Sequence, residues 1–198
     1  MADRVVAFAA SADWVVLSGS LPRGVPDTFY ADLVARVHGL GRRVAVDASG
    51  PALAAAVVAG PDLIKPNTEE LAELTGAALT TWGDVAKHAQ SLRDAGVGSV
   101  LVSLGEDGAL LVDGDGVRRA MAPPVEVRST VGAGDSTLAG FLAAGAAGEQ
   151  ALRTAVAFGA AAVTLPGSAM PGPKDILPDL VTVEDDPDLS HQLKGGVA

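Results

Sequence analysis

The sequence predicts an α/β fold in which a mostly parallel sheet lies between two layers of helices. Short apolar runs of the strand type alternate with longer segments whose apolar residues repeat at helical spacing. Alternation of this kind is typical of parallel sheets covered by helices on both faces. Two apolar runs flank the turn Gly114-Asp115-Gly116, and this pattern predicts an antiparallel hairpin at one edge of the sheet.

Local signals define the predicted elements in chain order. A buried strand at residues 14–17 precedes a helix at 26–38, which opens at Pro26 because a first helical turn tolerates proline. Thr68 is expected to cap a helix that ends near Gly76. The other predicted strands are 43–47, 62–65, 99–103, 109–113 and 117–121, and the other predicted helices are 51–59, 84–95, 134–144 and 150–163.

The length and composition of the chain favour a single packed domain. It has 198 residues, of which 48% are hydrophobic and 19% are charged, so a globular core is expected rather than disorder. No internal repeat or linker marks a second domain. The Pro-rich and acidic end of the chain, about residues 185–198, is predicted to be a flexible tail.

Several classes of function are excluded by composition. A formal net charge of −10 does not suit general nucleic-acid binding, which depends on lysine and arginine. The chain has no cysteine, which excludes disulfides, thiolate metal sites and a cysteine nucleophile. Residues 1–13 do not resemble a signal peptide, and the apolar stretch 151–165 is too short to span a bilayer. A cytoplasmic protein that binds neither nucleic acid nor membrane is therefore expected.

Polar or glycine-containing clusters follow each predicted parallel strand. Ligands bind beyond the carboxyl ends of the strands in open α/β sheets, so four clusters at one edge indicate one shared site. Any single cluster is equally well explained as an ordinary polar turn. The clusters are 18–20, 47–49, 65–67 and 103–105.

The segment 130–137 (TVGAGDST) combines an anion-binding site with a carboxylate. Gly132 and Gly134 have no side chains, so backbone amides at the start of the following helix can approach an anion closely. Asp135 at the same place could accept a proton from a substrate hydroxyl. From this segment alone, a role for Asp135 as a helix cap is about equally well supported.

Two further segments supply polar groups at strand ends. Residues 65–70 (KPNTEE) place Asn67 and Glu70 three positions apart, which suits either a hydrated Mg²⁺ or a capped helix start. Residues 103–108 (SLGEDG) could bend around a ribose or phosphate, although an ordinary turn explains them as well. The chain has neither a P-loop motif nor the glycine fingerprint of dehydrogenases.

Together these motifs resemble the ribokinase-like carbohydrate kinases, the PfkB family, and most of all their 1-phosphofructokinase and tagatose-6-phosphate kinase branches. The resemblance rests on residues 16–25 (VLSGSLPRGV), 47–50 (DASG), 64–71 (IKPNTEEL) and 131–136 (VGAGDS), and residues 103–108 also fit. It implies a ribokinase-like three-layer α/β/α fold. It also implies ATP-dependent phosphorylation of a sugar phosphate, most of all of fructose 1-phosphate to fructose 1,6-bisphosphate.

The resemblance also implies a role for each matching residue. Asp135 would be the general base, with Gly132, Ala133 and Gly134 forming the anion hole. Ser20 would lie near the sugar phosphate. Nucleotide contacts would come from Lys65, Asn67, Ser103, Gly105, Glu106, Asp107, Gly108 and Gly134, and from Gly167 beside the adenine. Asn67 and Glu70 would hold Mg²⁺ through water, and backbone oxygens of Ser129 and Val131 would bind K⁺ as in some members.

The main departure from the family pattern is at the start of the chain. Family members have further strands, a small β lid and sugar contacts before the segment that matches here. This departure leaves a second hypothesis open, in which the chain is a non-catalytic nucleotide-binding fragment or one half of a two-part kinase. A homodimer or a complementing N-terminal fragment would then be its partner. Fructose 1-phosphate, tagatose 6-phosphate and fructose 6-phosphate all remain open as substrates.

Overall fold

The computed structural model describes the backbone of residues 2–197 and the side-chain environments of residues 2–194. It contains seven helices and nine strands within those limits. The helices are α1 (Ala2–Ala9), α2 (Phe29–His38), α3 (Gly50–Val58), α4 (Thr68–Thr75), α5 (Trp82–Asp94), α6 (Ala133–Ala143) and α7 (Gly148–Val163). The strands are β1 (Trp14–Ser18), β2 (Arg43–Asp47), β3 (Leu63–Ile64), β4 (Leu79–Thr81), β5 (Ser99–Ser103), β6 (Ala109–Asp113), β7 (Gly116–Met121), β8 (Thr182–Asp185) and β9 (Gln192–Val197).

Seven of the described strands form one sheet in the order β1-β2-β3-β5-β6-β7-β8. Strands β1, β2, β3 and β5 are parallel, whereas β6, β7 and β8 continue the sheet in antiparallel fashion. Strands β4 and β9 pair separately in a small antiparallel sheet. The carboxyl ends of the four parallel strands consequently lie along one edge, where the polar clusters predicted a shared site.

Successive residues of the central strands pack alternately into two cores, one on each face of the sheet. Val44 and Val46 of β2 pack into a core with helices α2 to α5, whereas Ala45 between them packs into a second core with α6 and α7. This two-residue period is the geometry of a strand buried on both faces. The three-layer α/β/α arrangement predicted from the sequence is therefore confirmed.

The last third of the chain differs from the sequence prediction in two places. Strand β8 pairs with β7, so the predicted hairpin is one strand inside the edge of the sheet. The segment predicted as a flexible tail instead contains β9, which pairs with β4, and Leu193 is 9% exposed. Charge and proline content predicted the tail, but strand pairing and burial of Leu193 supply local order that composition does not reveal.

Helices α6 and α7 pack at unusually short distance, and α6 carries the candidate site at its first turn. A Cβ added at Gly140 of α6 would lie 2.8 Å from the Phe158 ring and 2.9 Å from the Thr154 carbonyl oxygen of α7. Real Cβ contacts essentially never come below 3.0 Å. The absence of a side chain at Gly140 therefore sets the position of α6 over the sheet.

We expect Gly140→Ala to destabilise the protein by up to about 2 kcal/mol. Alanine would gain roughly 1 kcal/mol of helix propensity, but overpacking against the α7 backbone costs about 1–3 kcal/mol and forces the helices apart. Urea unfolding followed by circular dichroism measures the difference. Gly114→Ala is the matched control, because its added Cβ would meet only the end of Arg93 at 3.8 Å. An equal or stabilising effect of G140A would contradict this account of the packing.

Candidate functional site

A deep cleft lies beyond the carboxyl ends of the parallel strands and beside the start of α6. Its volume is about 1270 Å³, large enough for a nucleotide together with a second substrate. Most of the residues singled out from the sequence line it. These are Ser20, Lys65, Asn67, Glu70, Ser103, Gly105, Glu106, Gly108, Gly132, Ala133, Gly134 and Asp135.

The first turn of α6 presents free backbone amides to the cleft. Gly132 precedes the helix with φ 78°, a left-handed conformation that favours glycine. The Ala133 amide donates to the Thr130 carbonyl at 3.3 Å. Within the described part of the chain, the amides of Gly132, Gly134 and Asp135 have no hydrogen-bond partner. Unpaired amides at a helix start attract an anion, and the Ala133 amide is not among them; the anion hole itself stays a prediction.

Helix α6 approaches the buried Lys65 closely at Gly134, the third residue of the Gly-Ala-Gly-Asp segment. A Cβ at Gly134 would lie 3.1 Å from Lys65 Nζ and 4.0 Å from Asp47 Oδ2. The ammonium and the helix start therefore face the same small volume. A phosphate group there would meet backbone N–H donors and a cation together.

Lys65 is held by an ion pair with Asp47 at the end of β2. The Nζ–Oδ1 distance is 3.1 Å, and the two side chains are only 5% and 13% exposed. Burial raises the pKa of Asp47, an effect that the Lys65 ammonium opposes and that the Glu70 and Asp135 carboxylates reinforce. Asp47 thus holds the Lys65 ammonium in the cleft, although burial disfavours the ionised form of its own carboxyl.

Asp135 faces the loop that follows β1. Its Oδ1 accepts a hydrogen bond from the Ser18 hydroxyl at 3.1 Å. The Tyr30 hydroxyl holds this loop by donating to the carbonyl oxygens of Ser18 (3.0 Å) and Gly19 (3.1 Å). Burial raises the pKa of Tyr30, which keeps the hydroxyl protonated as a donor. Asp135 and Ser18 remain exposed, so a substrate can reach the carboxylate.

Asn67 and Glu70 form a reciprocal capping box at the start of α4. Asn67 Oδ1 accepts from the Glu70 amide at 2.8 Å, and Glu70 Oε2 accepts from the Asn67 amide at 2.9 Å. Asn67 is therefore the cap, and the prediction that Thr68 caps this helix is wrong. The second carboxylate oxygen of Glu70 has no hydrogen-bond partner among the described residues, and Glu70 lines the cleft. The described residues contain no group of three or more His, Asp or Glu side chains that could hold a metal ion.

The loop between β5 and β6 lines the cleft, but one of its predicted nucleotide contacts points away. Asp107 is 1% exposed and does not line the cleft. Its carboxylate accepts from the Lys194 amide, and its carbonyl oxygen accepts from the Arg119 guanidinium. The prediction of a direct nucleotide contact at Asp107 is therefore corrected, because hydrogen bonds inside the protein already use its polar atoms.

Three other predicted residues also lie outside the cleft lining. Gly167 follows α7 in an exposed turn, so it does not border the cleft as the adenine prediction required. Ser129 and Val131 flank Thr130, which does line the cleft. The Val131 amide donates to the Ser129 hydroxyl at 3.2 Å. The monovalent-cation site predicted at their backbone oxygens stays a prediction.

Two functional candidates had no role assigned to them from the sequence. Asp47 lay in a cluster that was noted, but its ion pair with Lys65 depends on β2 and β3 being adjacent in the sheet. Lys194 lines the cleft from β9, and no motif marks it. Adjacency of β9 to the loop after β5 could not be inferred from spacing in the sequence.

No helix among the described residues combines the length and the apolar character needed to cross a membrane.

We expect Lys65→Met to destabilise the protein, and to do so more at pH 8 than at pH 5. Breaking a buried pair leaves Asp47 unpaired and costs about 3–5 kcal/mol while it is ionised. Without the ammonium, the pKa of Asp47 rises further. A carboxyl with a raised folded-state pKa binds more protons when folded, so the free energy of unfolding falls as pH rises through that pKa.

Urea unfolding at the two pH values measures this dependence. The double variant Asp47→Asn with Lys65→Met removes both charges and is expected to recover most of the stability and to lose the extra pH dependence. If K65M had the same free energy of unfolding as the parent chain at pH 8, the ion pair would not stabilise the fold.

Comparisons with known proteins identify the family to which this arrangement belongs. Residues 2–175 match the pfkB family of carbohydrate kinases. The chain is 42% identical over 170 residues to 1-phosphofructokinase of Rhodobacter capsulatus, covering 84% of this chain and 54% of that protein. It is also 42% identical over 161 residues to ATP-dependent 6-phosphofructokinase isozyme 2 of Escherichia coli (strain K12), covering 79% of this chain and 52% of that protein.

A solved structure gives the same assignment. The structure of phosphofructokinase-2 from Escherichia coli in complex with potassium superposes with a TM-score of 0.81 at 37% identity, covering 88% of this chain and 59% of that one. The chain spans about half the length of the curated relatives it matches. With the cleft, the amide-rich start of α6 and this similarity considered together, the chain belongs to the pfkB family of carbohydrate kinases.

Proposed function

We propose that this chain carries the phosphoryl-transfer site of an ATP-dependent sugar-phosphate kinase that converts fructose 1-phosphate to fructose 1,6-bisphosphate. The observation that carries the proposal is the start of α6, where unpaired amides and the Asp135 carboxylate line the same cleft as the buried Lys65. Anion-binding donors beside a solvent-accessible carboxylate are what transfer of a phosphoryl group to a hydroxyl requires.

The nucleotide would occupy the part of the cleft bordered by the loop after β5 and by α7. A side pocket of about 230 Å³ opens there, and Ala122, Pro123, Val125 and Ala160 line both it and the main cleft. Its apolar walls suit the faces of an adenine ring. We assign the base to this pocket, in place of the turn at Gly167. The phosphates would then extend past Ser103 and Gly105 towards Lys65 and Gly134.

The start of α6 would stabilise the charge of the transferring group. The amides of Gly132, Gly134 and Asp135 are fixed by the helix, so they need no rearrangement when negative charge develops nearby. Lys65 is fixed equally firmly by Asp47. Mg²⁺ bound to the nucleotide phosphates would neutralise further charge, and Glu70 and Asn67 fit contacts to it through water because their remaining polar groups face the cleft.

Asp135 would act as the general base. As the acceptor oxygen of the sugar forms its bond to the γ-phosphorus, its proton passes to the Asp135 carboxylate, and the bond to the ADP oxygen breaks. The Ser18 hydroxyl donates to Oδ1, which leaves Oδ2 free for the substrate. Ser18 thus orients the carboxylate, and Ser20 on the same loop is proposed to contact the sugar phosphate.

The identity of the sugar and a bound K⁺ are the finer parts of this proposal. Relatives at equal identity are named for phosphorylation of two different fructose phosphates, and fructose 1-phosphate is favoured because the R. capsulatus 1-phosphofructokinase match covers more of this chain. A neighbour in complex with potassium supports K⁺ at the backbone oxygens of Ser129 and Val131. Fructose 6-phosphate and tagatose 6-phosphate are the competing substrates to assay.

A second function is favoured by the exposure of the sugar side. Ser18, Gly19 and Ser20 are all exposed, and Val16 of the edge strand β1 is 46% exposed. An open edge strand with an apolar surface is a pairing site for another segment. On this alternative the chain binds nucleotide without turnover and is completed by an N-terminal fragment or by a second copy of itself.

We expect Asp135→Asn to lower turnover of fructose 1-phosphate with Mg-ATP by about 100-fold or more, since a general base contributes roughly 10²–10⁴-fold. Asparagine keeps the size of the side chain but cannot accept the proton. ATP binding, followed by calorimetry, should be nearly unchanged, because the amides and Lys65 remain. Formation of ADP in a coupled assay measures turnover.

Ser11→Ala is the matched control, because its hydroxyl bonds only within a surface turn outside the cleft. Unchanged turnover of D135N would remove Asp135 as the base. Binding of Mg-ATP by the parent chain without turnover would instead support the alternative function. Absence of both would refute the site itself.

A further inference from the structure

Strand β9 lies beyond residues 2–175, the segment that matches the family. The segment that leads into it, residues 189–191, is nevertheless anchored beside the start of α5. The amides of Trp82 and Gly83 donate to the carbonyl oxygens of His191 (3.0 Å) and Leu189 (2.8 Å). The Trp82 ring also stacks on His191, with centroids 4.1 Å apart, and carries the Arg119 guanidinium 3.8 Å from its centroid.

The anchored strand connects to the loop that borders the nucleotide part of the cleft. The Lys194 amide donates to Asp107 Oδ2 at 3.0 Å, and Asp107 is almost fully buried. A hydrogen bond to a carboxylate is charge-assisted and strong, so it fixes the backbone of Lys194 at the rim of the cleft. Position 194 is consequently set by the main chain and does not depend on its own side chain.

The Lys194 side chain is free to meet a ligand. Its ammonium lies 3.6 Å from Asp107 Oδ1 and 3.8 Å from Glu106 Oε2, and the side chain is 56% exposed. The Lys194–Glu106 pair joins two exposed side chains and contributes little, so exchanging it for a phosphate contact costs little. The Asp107 carboxylate is only 2% exposed, but it keeps its hydrogen bond from the Lys194 amide when the ammonium moves away. Lys194 differs in this from Lys65, which is buried and paired with Asp47.

The carboxylates that line the cleft would repel an anionic ligand, and a cation at position 194 would reduce this repulsion. Among residues 2–194, the cleft is lined by five carboxylates and by two cationic side chains, Lys65 and Lys194. The carboxylates are Asp47, Glu69, Glu70, Glu106 and Asp135. A polyphosphate entering this cleft meets repulsion that Lys65, already paired, offsets in part. A second ammonium near the loop after β5 would reduce that repulsion.

We infer that Lys194 is a nucleotide-binding residue, whose ammonium leaves Glu106 and Asp107 to contact a phosphate oxygen of the nucleotide. The inference rests on the proposed function, because it requires that the cleft binds ATP. Lysine is suited to this role as a compact charge on a flexible stem. The contact comes from a segment that lies beyond the residues that match the family.

The test compares Mg-ATP binding by the parent chain, Lys194→Met and Lys194→Arg, using calorimetry at low salt. We expect K194M to weaken binding about tenfold, as loss of one charge-assisted contact implies, and K194R to bind nearly as the parent chain does. Lys87→Met is the matched control, because Lys87 is an exposed lysine of α5 outside the cleft. K87M should bind ATP unchanged.

A separate measurement tests whether K194M folds as the parent chain does. The contact to Asp107 uses the backbone of residue 194, so unliganded K194M should unfold at the temperature of the parent chain. If it does not fold, Lys194→Gln replaces it in the same comparison. Adenosine, which has no phosphate, should bind K194M and the parent chain equally.

Each outcome decides between the two proposals. Equal ATP affinities of K194M and the parent chain would overturn the role of Lys194 and leave the kinase proposal standing. Equal losses for adenosine and ATP would overturn the phosphate contact. Failure of the parent chain to bind ATP would overturn both proposals.

Discussion

The close approach of α6 to the buried Lys65 is the constraint on which the rest of the site depends. A Cβ at Gly134 would lie 3.1 Å from Lys65 Nζ, which is tighter than nine in ten real Cβ contacts. This contact brings the amides of the helix start and an ammonium into one volume. Asp135 is the next residue, so its carboxylate is placed at the same point by helical geometry alone.

The ion pair that holds Lys65 in place requires a buried carboxylate, and ionising that carboxylate costs free energy. Asp47 supplies the opposite charge, but burial and the neighbouring carboxylates raise its pKa. Among residues 2–194, the cleft is therefore lined by more carboxylates than ammonium groups, although its helix start favours an anion. Such a site holds a phosphate through fixed amides and a few local cations, which is consistent with a chain of net charge −10.

Much of the fold and site was predictable because the signals are local. The strand–helix alternation, the hairpin and the glycine segment before Asp135 each lie within a few consecutive residues, and the structure confirms the fold that they predicted. The direct contact proposed for Asp107 was wrong because burial of its carboxylate depends on β9, a strand 87 residues away. Asp47 and Lys194 were assigned no role for the same reason, since their partners come from other strands.

The two ends of the cleft differ in how completely this chain determines them. On the nucleotide side, Lys65, the start of α6 and the loop after β5 are fixed by buried contacts, so an anion meets donors already in position. On the sugar side, Ser18 orients Asp135 but both residues face solvent. A base open to water can accept a proton, yet it cannot by itself align an acceptor hydroxyl with the γ-phosphate. If the proposed function holds, affinity for ATP and the rate of transfer would consequently be separable, because the first depends on buried contacts and the second depends on how the acceptor hydroxyl is aligned at the exposed end of the cleft.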